Sequence, residues 1–150
     1  MKLSNNNIYE GQWVDGVKNG RGAYFEASSG TTYSGEWKDG KRDGYGLLKF
    51  SDHEFYEGTF LRSIKHGYGI EKFANGDIYK GEYQKGKFHG KGKYLWVNGS
   101  SYEGTFFEGS RHGQGNWKSS RNGGDIYTGS YESDKKSGYG RYVWANGCVY

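Results

Sequence analysis

Residues Tyr79–Gly99 read YKGEYQKGKFHGKGKYLWVNG. Two readings compete for this stretch. Within it GEYQKGK, Gly81 to Lys87, matches the first seven positions of the phosphate-cradling loop G-x-x-x-x-G-K-[ST]. A working loop needs Ser or Thr next, to meet magnesium, and Phe88 stands there instead. The other reading is a β-hairpin. Tyr79, Gly81 and Tyr83 fall at i, i+2 and i+4, one face of a strand, while Lys80 and Glu82 point to the other. A second strand, roughly Gly90 to Trp96, places Gly90, Gly92, Tyr94 and Trp96 on one face. Gln84 to His89 is then a longer hairpin loop, and Asn98-Gly99 a tight type I′ turn, whose two central residues both need positive φ.

Recurrence along the chain decides between them. Tyrosines stand at Tyr9, Tyr33, Tyr56, Tyr79, Tyr102, Tyr127 and Tyr150, spaced by 24, 23, 23, 23, 25 and 23 residues. Counting from each tyrosine as phase zero, glycine holds phase two in all six units, from Gly11 to Gly129, and phases eleven and thirteen as well. Phase four is always aromatic: Trp13, Trp37, Phe60, Tyr83, Phe106 and Tyr131. Phase seven is glycine except at Ser63 and Asp134, and near phase twenty a turn pair recurs, as Asn75-Gly76, Asn122-Gly123 and Asn146-Gly147, with Asp52-His53 as a variant. His53 is tolerable there because histidine is among the residues enriched at positive φ. The GEWKDGK of Gly35–Lys41 repeats the partial phosphate loop, followed by Arg42, so the match is a by-product of periodic glycine.

The expected fold is all-β: an elongated, single-layer antiparallel meander of hairpins. Residues 1–8 form an N-terminal tail, and six repeats follow at 9–32, 33–55, 56–78, 79–101, 102–126 and 127–149, with Tyr150 opening a seventh. About 12 strands at roughly 4.8 Å give a sheet about 55–60 Å across. A missing Cβ beside each ring leaves room for a ring from a neighbouring strand to lie across the glycine.

Composition agrees. Of 150 residues only 33% are hydrophobic, 28 are glycine and none is proline, which excludes a deep two-layer core, while 19% aromatic content excludes a disordered chain. Met1–Asn7 has no apolar run of signal-peptide length and no stretch approaches the roughly 20 apolar residues of a membrane span, so the cytosol is the expected location. The single cysteine, Cys148, permits no internal disulfide.

Chemistry-bearing residues are few. His66, His89 and His112 share phase ten, but units about 10 Å apart cannot bring them to one metal whose ligand nitrogens lie about 2 Å away. No catalytic group, cofactor site or metal site is expected. Phase nine is basic at Lys18, Arg42, Lys65, Arg111 and Lys136, with Phe88 out of line. Recurring once per unit, these charges should line one long edge of the sheet, where anionic lipid headgroups or acidic proteins could feel several together. The competing reading is a solvated edge that keeps the sheet soluble, given a net charge of only +4 and nearby acids at Glu10, Glu36, Glu57, Glu82 and Glu103. Nucleic acid is not expected, since the aromatics are not interleaved with the basic row.

The unit Y-x-G-x-[aromatic]-x-x-G-x-x-x-G-x-G, as in YSGEWKDGKRDGYG at Tyr33–Gly46, resembles the MORN repeat (membrane occupation and recognition nexus) from Tyr9 to Tyr150. The resemblance implies an extended, twisted sheet of hairpins. It also implies non-enzymatic roles, because in MORN-repeat enzymes, such as plant phosphoinositide kinases, a separate domain does the chemistry. Other members are junctional membrane tethers, radial spoke head proteins of cilia and protozoan cytoskeletal scaffolds. The expected function is therefore a structural scaffold in a cytoskeletal or ciliary assembly, with an acidic-phospholipid adaptor as the alternative. Partners should meet the aromatic groove built by Tyr9, Trp13, Tyr33, Trp37, Tyr56, Phe60, Tyr79, Tyr83, Tyr102, Phe106, Tyr127 and Tyr131, or the free sheet edges. A second copy of the sheet is one such partner; a small-molecule substrate is not expected.

Overall fold

A computed structural model describes residues 1–121 and 123–150; Asn122, assigned above to a turn, lies outside the described residues. The strands are β1 (Ile8–Val14), β2 (Val17–Phe25), β3 (Thr32–Lys38), β4 (Lys41–Lys49), β5 (Phe55–Leu61), β6 (Ile64–Lys72), β7 (Ile78–Gln84), β8 (Lys87–Leu95), β9 (Ser101–Phe107), β10 (Ser110–Lys118), β11 (Ile126–Glu132) and β12 (Lys135–Val143). They form one 12-stranded sheet in sequence order, every neighbouring pair antiparallel where paired. The all-β single-layer meander is thus the observed architecture.

One glycine per strand makes a continuous row across the sheet. Gly11 pairs with Gly22, Gly22 with Gly35, Gly35 with Gly46, and so on to Gly129 and Gly140. Each phase-zero tyrosine lies over two of these glycines. A Cβ built on Gly92 would stand 2.5–2.7 Å from the ring atoms and hydroxyl of Tyr79, and one on Gly81 would meet the Gly92 Cα at 2.5 Å. The tyrosines therefore reach full burial without a second layer: Tyr9, Tyr56, Tyr79 and Tyr102 are 0% exposed.

The ring hydroxyls have a further task. Between Gly81 and Tyr83 the register shifts, so that Glu82 faces three residues, His89 to Lys91, and its carbonyl is left out of the ladder. The Tyr79 hydroxyl donates to that carbonyl at 2.7 Å, and the equivalent bond recurs in every unit at 2.7–3.1 Å. On the reverse face the phase-three side chain closes the same bulge. Gln12, Glu36 and Glu82 accept a backbone N–H from the partner strand at 2.6–2.8 Å, while Thr59 and Thr105 donate to a backbone carbonyl there. Phase-eleven glycines supply the positive φ that the bulge needs, as at Gly90 (φ 68°).

The two kinds of connection are the reverse of the sequence expectation. The tight two-residue turn is the phase-six and phase-seven pair, where both residues have positive φ of 47–91°: Asp15-Gly16, Asp39-Gly40, Arg62-Ser63, Lys85-Gly86, Glu108-Gly109 and Ser133-Asp134. β8 consequently begins at Lys87 and not Gly90, and no long loop spans Gln84–His89. The Asn-Gly connection is wider. At Asn75-Gly76, Asn98-Gly99 and Asn146-Gly147 only the glycine has positive φ, and the asparagines instead accept the backbone N–H two residues on at 2.9–3.0 Å. His53 does not take the positive φ expected of it. Residues 1–8, read as a tail, fold into this same wider turn: the Leu3 N–H donates to the Asn7 carbonyl and Asn6 takes φ 65°.

Two outcomes test the seat. Gly92→Ala should destabilise the protein by about 1–3 kcal/mol through overpacking against Tyr79, read by urea denaturation. Tyr56→Phe should cost about 1–3 kcal/mol by orphaning the Thr59 carbonyl, whereas Tyr45→Phe on the exposed face should stay within about 0.5 kcal/mol.

Candidate functional site

The twelve aromatic residues assigned to a partner-binding face are mostly the core of the sheet itself. Eleven are buried, and Trp13 alone stays 38% exposed, on the outermost hairpin. Their rings meet edge-to-face in a zigzag. Within units the centroids lie 4.8–5.4 Å apart, as in Tyr9–Trp13 and Tyr127–Tyr131, and between units 5.1–5.5 Å, as in Tyr56–Tyr83 and Tyr79–Phe106. Each such pair contributes about 0.5–1.5 kcal/mol beyond the area it buries. A surface committed to its own chain in this way is not an open groove.

The basic row is also elsewhere than expected. Because the tight turn has only two residues, phase nine pairs directly across from phase four: Lys18 with Trp13, Arg42 with Trp37, Lys65 with Phe60, Arg111 with Phe106 and Lys136 with Tyr131. Cross-strand partners share a face, so the cations lie over the rings and not along the outer edge. Lys18 Nζ stands 4.2 Å from the Tyr24 ring centroid and 4.8 Å from that of Trp37. The Arg42 guanidinium is 5.2 Å from Phe60, Lys65 Nζ 5.1 Å from Tyr56, and Arg111 5.1 Å from Tyr131. Lys136 is caged by Trp117, Tyr127 and Tyr142 at 4.8–4.9 Å. In the fourth unit Phe88 takes the cation's place, stacked on Tyr79 at 3.9 Å. Interleaving of rings and cations, whose lack argued against nucleic acid, is therefore present, but each cation already has ring partners within the chain.

Electrostatics follow from this burial. Desolvation lowers the pKa of Lys18, Arg42 and Lys136, and Arg111 lowers Lys136 further. It pushes the Tyr33 and Tyr131 hydroxyls up to about 12. Two of the cations also find carboxylates. Lys65 Nζ lies 2.5 Å from Glu71, which accepts the Tyr83 hydroxyl at 2.6 Å on its other oxygen. Arg111 reaches Asp134 through Nε at 3.3 Å and through its backbone N–H at 2.8 Å.

What remains available on this face is a strip on the second strand of each hairpin, the strand whose patterned residues the sequence places on the same face, with Tyr94 and Trp96 as the fourth unit's members. Phase fifteen carries Tyr24, Tyr94, Trp117 and Tyr142, and phase seventeen Phe50, Phe73, Trp96 and Trp144, packed on the buried row and half-covered, with Phe50 and Trp144 exposed. Their recurrence at those phases is the sequence signal that places them on this face; what it does not show is that they, and not the buried row, stay accessible. Carboxylates of the preceding wide turns hold several in place. Asp77 accepts the Tyr94 hydroxyl at 2.7 Å and the Val97 N–H at 2.9 Å, and Asp125 treats Tyr142 and Ala145 alike. Burial alone would push the Asp77 carboxyl up, but bonds from Tyr94, Val97 and Asn75 leave it below the usual carboxylate range. Between the first two units the strip opens into a cavity of about 340 Å³ walled by Tyr24, Trp37, Leu48 and Phe50, with Glu26 and Arg42 also lining it. At the other end Lys136, Tyr142, Trp144 and Tyr150 line one of about 400 Å³.

The profile of the MORN repeat matches residues 9–25, 33–54, 56–78, 79–101, 102–122 and 127–149. No match is found among curated proteins. MORN repeats are generally non-catalytic modules that mediate interactions with proteins or membranes. With six matched copies that take in every strand of the sheet, the chain belongs to the MORN-repeat family.

Proposed function

We propose that the protein is a non-enzymatic scaffold which holds a partner protein along the half-covered aromatic strip, on the cytoplasmic side, within a cytoskeletal or ciliary assembly. The observation that carries this reading is the combination of exposed rings, Phe50 and Trp144, with two ring-walled cavities on a face whose lower layer is already rigidly packed. Rigid aromatic anchors beside cations are the surface type that concentrates binding energy at interfaces. The arrangement favours a partner with apolar anchors and acidic flanks over a bare polyanion, because Lys18, Arg42, Lys65, Arg111 and Lys136 are spent on rings. An elongated sheet of equivalent units suits a role in which several contacts are spaced along a filament.

A second reading, an adaptor for acidic phospholipids, draws support from a different set of residues than the phase-nine row. Val14, Val17, Leu61, Ile64 and Phe107 are exposed beside the tight turns, and Lys38, Lys41, Lys85 and Lys87 stand at the neighbouring tips. Apolar and basic residues together at one edge fit an anionic membrane interface.

Cross-linked capture followed by mass spectrometry separates the two. Phe50→Ser with Trp144→Ser should lose the captured partner protein while the circular dichroism of the sheet persists, and Leu61→Ser with Ile64→Ser should leave that partner in place. Retention of the partner by the first double variant would rule out the strip as the docking surface. Co-sedimentation with anionic vesicles that Leu61→Ser with Ile64→Ser abolishes would favour the membrane reading.

A further inference from the structure

The face opposite the rings plays no part in the strip described above, and it holds two directly opposed lysine pairs: Lys38 and Lys41 flank a tight turn, while the other lies mid-strand, at phases where the remaining five units avoid like charge. Residues at phases one and fourteen oppose each other across each hairpin: Glu10 and Ala23, Ser34 and Leu47, Glu57 and Ile70, Glu103 and Asn116, Thr128 and Arg141. No like charges meet in these five. In the fourth unit Lys80 stands directly opposite Lys93, and Lys91, two positions before Lys93, shares their face. Like charges placed directly opposite destabilise a ladder. None of the three lysines forms an ion pair among the described residues.

These lysines line a cavity of about 510 Å³, with Gly81, Gly92 and Gly104 also lining it and the exposed ring of Tyr68 at one side. Two carboxylates are close in sequence or register. Glu82 is on the same face but is engaged at the bulge, where its Oε2 accepts the Lys91 backbone N–H at 2.7 Å. Glu103, across from Lys93, lines the cavity without forming an ion pair. The result is a small positive site between units that carry Glu57 and Glu103 at the corresponding position.

We propose that this trough binds a compact, multiply charged phosphate-bearing small molecule. Three ammonium groups act as point charges, which suits phosphate oxygens, whereas planar carboxylates are better matched by the arginine fork. A bound polyanion would offset the repulsion between Lys80 and Lys93, which Glu103, across from Lys93 only, offsets in part. The carboxylates on either side restrict the ligand to a compact one and disfavour a flat anionic surface lying over the whole face. Tyr68 offers a ring against which the carbon skeleton of the ligand packs. The segment that imitates a phosphate loop thus keeps a phosphate reading, through Lys80, Lys91 and Lys93 on a strand face and not through Lys87 in a loop.

Titration calorimetry of the intact chain with sodium tripolyphosphate tests the site. Saturable binding should be weakened about tenfold or more in Lys80→Gln with Lys93→Gln, because bonds to charged groups are lost, and should persist in Lys49→Gln with Lys118→Gln, which removes equal charge elsewhere. Tripolyphosphate should raise the melting temperature of the parent chain but not of the first double variant. Without the anion, Lys93→Gln should melt no lower than the parent, since it relieves a repulsion. No saturable binding, or equal weakening in both double variants, would overturn the proposal. So would binding of phosphatidylserine vesicles that depends on Lys80 and Lys93 in a protein that ignores tripolyphosphate, an outcome that would assign the lysines to a membrane.

Discussion

The structure depends on a tyrosine ring laid flat over two glycines with its hydroxyl bonded to a carbonyl that the ladder cannot satisfy. A bulge three residues wide on the longer strand would otherwise leave that carbonyl orphaned in every unit. Phenylalanine could fill the space but not make the bond, and alanine in place of either glycine would close the seat. The three elements require one another: the glycines admit the ring, the ring reaches the bulge, and the bulge sets the register that aligns the next glycine pair. In this way a chain that is only 33% hydrophobic obtains fully buried side chains from a single layer.

The same register explains the cations. Two residues in the tight turn place Lys18, Arg42, Lys65, Arg111 and Lys136 above rings, where their alkyl stems cover apolar surface while their charges meet π faces. They complete the upper side of the core. What the ring side leaves half-covered is the outer strip near the wide turns, held by Asp77 and Asp125. The reverse face is more varied, and in its fourth unit Lys80 stands opposite Lys93 with Lys91 on the same face.

Most of the architecture was legible because it is periodic. Tyrosine, glycine and aromatic positions recur at fixed phases, and alternation within a strand assigns them to one face. Two things were not legible. Asn-Gly is the preferred chemistry of a type I′ turn, yet here the asparagine uses its side chain on the backbone, while Arg62-Ser63 and Ser133-Asp134 adopt the paired positive φ without the usual residues. Local composition could not separate these cases, because the deciding factor is how many residues the partner strand holds in its bulge. The phase-eleven glycine looked like another position on the strand face when it is the bulge itself. That single displacement moved the basic row from the edge to the ring face, and turned the expected binding groove into core.

Exposure of Trp13, at a position where the internal units bury their ring, shows where the stability resides. Each phase-four ring touches the tyrosine of its own unit and that of the preceding one, as Trp37 touches Tyr33 and Tyr9, so a junction between units buries what no unit can bury alone. Cohesion therefore belongs to the boundaries and not to the parts. A sheet of this kind behaves as a short linear polymer: its resistance to unfolding grows with the number of joints, its outermost hairpins open first, and damage to one central joint leaves two shorter sheets that each remain coherent.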